Sequence, residues 1–210
     1  MCFSATASFA AGGALTAGGA LTLSKVKTKK ELPFASIPIL FGIQQIIEGV
    51  VWLSFGSAAL NTVATYSYSV FSHSLWPILV PISVFLIETD HHRKNILRIF
   101  CLVGLIIGLY LLYFIFATSI TSSIIGNSIA YQSPHLYTFL IIAMYLIATC
   151  GSCLFSSHKI VNIFGAVVLI GFIISVWFFI ETFLSVWCFF SAILSVLVYW
   201  HFKNEKYRIY

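Results

Sequence analysis

The stretch FASIPILFGIQQIIEGVVWLSF, residues 34–55, decides how the chain is read. As a helix rising about 1.5 Å per residue it is long enough to cross roughly 30 Å of hydrocarbon. Yet Gln44, Gln45 and Glu48 sit inside it. At about 100° per residue, those three and Trp52 fall within one arc of about 100°. An ionised side chain at the bilayer centre costs at least ~2.5–3.5 kcal/mol. That arc therefore faces protein, and Glu48 requires a partner or a proton. The stretch reads as one membrane helix inside a bundle.

The rest of the sequence agrees. Of its 210 residues, 60% are hydrophobic and 8% charged, where a soluble domain carries about 25% charged residues. Mean hydropathy is +1.01. The apolar windows predict an all-α, polytopic membrane bundle, a single domain over residues 1–210. Its seven spans fall at Ser4–Leu23, Phe34–Phe55, Thr62–Ile87, Ile96–Thr118, His135–Phe155, Ile160–Ile180 and Thr182–Phe202. With this count all 11 Lys and Arg residues fall on one side. The positive-inside rule then places the N-terminus outside and the C-terminus in the cytoplasm. The net charge of +5 is thus an orientation signal and gives no reason to expect nucleic acid as a partner. Because no basic region precedes the first apolar run, that run reads as a retained helix rather than a signal peptide.

The chemistry-bearing residues converge on the outer half of this bundle. Tyr66, Ser69, His73 and Pro77 share a face of the third span, Glu181 closes the sixth, His135 opens the fifth, and Cys2 begins the chain. Glu48 and His73 are the candidate catalytic or proton-transfer pair, and Gln44, Gln45, Trp52, Trp76 and Trp177 the candidate binding residues. His73, His135, Glu48 and Glu181, with Cys2 at the margin, are the side-chain types that hold zinc, iron or copper. Haem ligation by His73 and His135 is allowed by residue type and demanded by nothing in the spacing. Retinal is not expected, because no lysine lies within any span. A zinc amide hydrolase of the ceramidase type is not expected either, since the last span lacks its His-x-x-x-His pair.

Other features read as structural. AGGALT repeats at residues 11–16 and 17–22, and such small residues let helices approach closely, within the chain or between copies in an oligomer. CGSC at residues 150–153 reads as core packing. ETDHHRKN, residues 88–95, reads as a solvated loop, and residues 119–134 as the longest polar connection. Pro77 and Pro81 are expected to kink the third span.

The segments MCFSATASFAAG, IPILFGIQQIIEGVVW and HSLWPILVP resemble an uncharacterised family of small bacterial integral-membrane proteins, over about the first 85 residues. The resemblance implies a bacterial inner membrane and brings no activity. The sequence favours a one-sided outer site, possessed of a metal or not, for a lipid-like or small-molecule substrate, with surrounding membrane lipid as a partner. A proton-coupled transporter using the buried Glu and His is the first alternative, and a sensor or scaffold without catalysis the second.

Overall fold

A computed structural model describes residues 4–132 and 138–203. These residues form α1 (Ala5–Leu23), α2 (Lys29–Ser54), α3 (Ala58–Ile87), α4 (His91–Ala117), α5 (Phe139–Leu154), α6 (Lys159–Phe178) and α7 (Phe183–Lys203). Five of them, α2, α3, α4, α6 and α7, are long and apolar enough to cross a membrane. The chain is a helical, multi-pass membrane protein. Helix ends follow the expected chemistry: the Ser4 hydroxyl accepts from Ala7 N at 3.2 Å, and the Asp90 carboxylate from Arg93 N at 2.7 Å.

Of the five long helices, α2 is the most buried and α4 the least. Helix α1 makes its main contact along α2, and the AGGALT repeat explains how. A methyl group on Gly12 would stand 2.9 Å from the Gly42 carbonyl oxygen, and one on Gly42 would stand 2.8 Å from Thr16 N. Gly19 is pressed against Ile39 in the same way. Gly13 and Gly18, on the far side of α1, meet nothing within 4 Å. One glycine of each pair is thus consumed inside the chain.

Helix α3 departs from regular geometry where its sequence requires it. A π-helical segment, Val70–Leu75, precedes Pro77 and Pro81. The Pro77 carbonyl would normally accept from residue 81, which has no N–H. It packs instead against the backbone of Gly104 in α4, with the Pro81 ring alongside. A second π-helical segment, Ile147–Gly151, interrupts α5.

Residues 119–134 are not simply a polar connection. Strands β1 (Thr121–Ile125) and β2 (Ser128–Gln132) pair as an antiparallel hairpin. Gly126 takes φ 59° at the first position of the two-residue turn, the left-handed value that a tight hairpin turn needs there. The Ser122 hydroxyl meets Asn61 Nδ2 at 3.1 Å and the Thr65 hydroxyl at 2.8 Å, tying the hairpin to the start of α3. The Tyr131 ring stacks on Tyr68 at 4.3 Å and 7°.

At the opposite end, the connections after α1, α3 and α5 and the end of α7 surround one cavity. Arg93 Nη1 donates to the carbonyls of Phe155 and Ser156 at 3.1 and 3.0 Å, clasping α4 to the end of α5. The basic connections thus gather at one end of the bundle.

The glycine contacts give a direct test. Gly104→Ala forces its methyl group into the Pro77 carbonyl, an overpacking worth about 1–3 kcal/mol. Gly13→Ala, with open space around it, is expected to leave Tm unchanged or slightly raised. Thermal unfolding of both variants in detergent decides; equal midpoints would disprove the α3–α4 contact.

Candidate functional site

Glu48 lies in the last third of α2 and is 0% exposed. Its Oε1 accepts from the Ser185 hydroxyl of α7 at 2.6 Å, and its Oε2 from Gln45 Nε2 at 3.3 Å. One turn earlier, Gln44 Oε1 accepts from Trp76 Nε1 of α3 at 2.8 Å. The Trp76 ring stacks on Phe41 at 3.9 Å. Cys188, one turn after Ser185 on α7, completes the group: its thiol interacts with Gln44, Tyr68 and Glu48. A carboxylate, two amides, a hydroxyl and a thiol therefore form one buried cluster where α2, α3 and α7 meet. On the same face of α2, Gln45 Oε1 and Trp52 Nε1 are buried and find no hydrogen-bond partner among the described residues.

His73 sits inside the π-helical segment and is 3% exposed. Its Nδ1 lies 3.0 Å from the Ser69 carbonyl. A carbonyl only accepts, so Nδ1 carries the proton. The Ser72 hydroxyl is 2.9 Å from the same nitrogen, and the Ser72 carbonyl accepts from the Tyr145 hydroxyl at 2.7 Å. That last bond joins the π-helical segment of α3 to α5.

Three separate cavities share lining residues between the hairpin end and this region. One of about 610 Å³ is lined by Tyr131, Gln132, Glu181, Thr182, Phe183 and Leu184, among others. Phe183 and Leu184 also line a small space of about 30 Å³ whose wall includes His73, Tyr145 and Trp187. Tyr145 and Trp187 in turn border an apolar space of about 40 Å³ beside Phe41, Trp76, Cys150, Cys153 and Cys188. None of these three thiols forms a disulfide among the described residues, and Cys150 and Cys153 of CGSC are buried.

The structure therefore gathers Glu48, Gln44, Gln45 and Trp76, keeps Trp52 on the same face of α2, and joins His73 to Ser69 and Ser72 beside the space shared with Tyr145 and Trp187. Two other candidates stand apart. Trp177 is 81% exposed among the outward-facing residues Ile173, Ile174 and Phe178, where an aromatic ring suits the membrane interface. Glu181 is exposed at the rim of the large cavity. His135 and Cys2 lie outside the described residues. Among the described residues, no group of three or more His, Cys, Asp and Glu side chains could hold a metal ion. A metal at Glu48 and His73 would thus draw on ligands beyond them.

A second polar centre went unread in the sequence. Glu88 was expected in a solvated loop, but it is 2% exposed. Its carboxylate accepts from the amides of Thr89 and Asp90, both at 3.0 Å, from Ser157 N at 2.8 Å, and from the Ser157 and Ser156 hydroxyls at 2.6 and 3.3 Å. Burial pushes its pKa up, but the Ser157 hydroxyl and the three amides outweigh burial and hold it below 4.5. Ser185 and Cys188 were likewise missed; their only signal was small polar side chains one turn apart in an apolar span.

The chain belongs to a family of unknown function (DUF6629), whose model matches residues 1–209. No curated protein and no solved structure matches it.

Because the folded pKa of Glu88 is depressed, its contribution to stability is present above the ordinary value of 4.5 and is lost as pH falls through that value toward the folded one. The wild-type Tm should therefore drop steeply below about pH 4.5. Glu88→Gln should be less stable at pH 7 and lack that step. A step of the same size in both proteins would show that Glu88 does not cause it.

Proposed function

We propose that this family member is a bacterial inner-membrane protein whose seven helices all cross the bilayer, with the N-terminus outside and the basic end in the cytoplasm. It binds a small or lipid-like molecule at the outer, hairpin end, with Glu48 and His73 as the polar and proton-exchanging groups beneath it. The segregation of the basic residues supports the orientation. One observation carries the site: Phe183 and Leu184 line both the large cavity and the small space beside His73, and the next residue, Ser185, holds Glu48. A single short stretch at the start of α7 thus separates an entrance from both candidate reactive groups.

The unpartnered Gln45 Oε1 and Trp52 Nε1 offer an acceptor and a donor near the carboxylate. Buried polar atoms without partners are uncommon, so a ligand head or ordered water that supplies both bonds accounts for them. Toward the basic end the path meets the stacked Phe41 and Trp76 rings with Val80, Phe164 and Val168. An apolar plug of this kind favours a one-sided binding or catalytic site over a route through the bilayer.

Mass spectrometry of small molecules released from purified wild type, Glu48→Gln and Phe183→Trp tests the reading, with Tm recorded for each. The expected result is a molecule bound near one per chain in wild type and reduced at least tenfold, about 1.4 kcal/mol, in both folded variants. Identical contents in all three would overturn it. Elemental analysis of the same samples tests the metal: stoichiometric zinc, iron or copper in wild type, lost in Glu48→Gln, would add a metal to the site.

A further inference from the structure

We propose a second binding site, for a phosphate-bearing anion, in the cavity at the basic end of the bundle. This cavity measures about 360 Å³, within the ordinary range of ligand pockets. Lys30, Lys94, Thr28, Thr89, His158 and His201 line it, with Leu86 and Ile87 as an apolar wall. Four separate parts of the chain supply these groups.

Two features make the lining selective for an anion. Lys94 is held in place: its Nζ donates to the Glu88 carbonyl at 3.2 Å and lies 5.2 Å from the centre of the Phe85 ring. His158 and His201 are 3% and 2% exposed, packed edge to face with ring centres 5.1 Å apart. His158 Nε2 lies 3.0 Å from the Ile87 carbonyl, which fixes the proton on that nitrogen. Both imidazoles thus form a packed, polar stretch of the cavity wall.

Glu31 and Glu88 also border the cavity, but their charge is already answered. Glu31 Oε2 accepts from the amides of Lys27 and Thr28 at 2.7 and 3.1 Å. The Glu88 carboxylate is surrounded by the five donors described above. Each carboxylate is therefore directed into backbone amides, which leaves the Lys30 and Lys94 ammonium groups to an outside anion. A phosphate accepts from lysine ammonium and threonine hydroxyl groups alike, while the His158 Nε2–H is already given to the Ile87 carbonyl. It could arrive free or as the headgroup of a phospholipid whose chains run along the apolar wall.

The test uses the full-length protein in nanodiscs. Retention of phosphatidylglycerol against phosphatidylcholine is measured by native mass spectrometry, with and without added inorganic phosphate. Lys30→Gln/Lys94→Gln and His201→Phe are compared with Lys29→Gln/Lys159→Gln, which alters exposed lysines outside the cavity. The expected result is at least a fivefold preference for phosphatidylglycerol, lost in the first two variants and kept in the third. Displacement by inorganic phosphate would show that the phosphate group alone suffices, and persistence of the lipid would assign the site to a headgroup. Equal loss in all three variants would reduce the effect to diffuse surface charge. No preference in wild type, with no phosphate binding, would remove the site. Either of these last two outcomes overturns the proposal without touching the outer site.

Discussion

The hydrogen bond from the Ser185 hydroxyl to Glu48 Oε1 is the contact on which the bundle's arrangement turns. Within hydrocarbon a carboxylate has no water to turn to, and an unpaired buried polar group costs about 1–3 kcal/mol, more when charged. Glu48 therefore requires α7 to stand beside α2 at one height and one rotation. The other neighbours of α2 are fixed by equally specific means. Gln44 receives Trp76 from α3, and the bare backbone of Gly42 receives that of Gly12 from α1. A helix that must satisfy two partners along one polar arc and a third across its glycine face has little freedom to rotate.

Glu48 and Glu88 are both buried carboxylates, and their surroundings differ for a reason of backbone geometry. At the end of the bundle, chain segments leave the helices and their amides are unused, so Glu88 collects three of them along with two hydroxyls. Inside a continuous helix every amide is already committed four residues back. Glu48 can be reached only by side chains, and it has Gln45 and Ser185. Amides hold the first as a fixed anion. The second is held by rotatable groups, which can adapt to a change of protonation or to a guest. That difference makes Glu88 a clasp between connections and Glu48 the better candidate for chemistry.

Much of this could be read beforehand. Five of the predicted spans coincide, to within about five residues at each end, with helices long and apolar enough to cross a membrane, because hydrocarbon thickness is a strong and local constraint. The polar arc of α2 was visible for the same reason: Gln44, Gln45 and Glu48 are conspicuous in an apolar run. Partners were not visible, since Ser185 lies 137 positions away from Glu48 and a serine in an apolar span looks like any other. Trp177 shows the converse error. Its position at the end of α6 suggested a binding residue, but the face on which it stands was fixed by how α6 packs. The hairpin had a signal, two β-branched runs around Gly126 and Asn127, that its polar composition concealed. Burial of Glu88 had none, because three of its five donors come from Ser156 and Ser157 in the connection after α5.

The irregular parts of α3 and α5 bear on the site in a way that composition does not reveal. A regular helix hides its carbonyls in its own ladder, which suits a lipid-facing rod but leaves nothing with which to bind. In α3, the π-helical segment and the prolines release some of them. The Ser69 carbonyl takes the His73 imidazole, the Ser72 carbonyl takes the Tyr145 hydroxyl, and the Pro77 carbonyl rests on Gly104. Two of these carbonyls gain a side-chain donor and the third a glycine backbone packed against it. The distortion converts backbone into acceptors at the depth where His73 and Glu48 lie. A protein with 8% charged residues thereby gains polar capacity inside the bilayer without adding a charge, and the position of His73 is set by the backbone of its own helix.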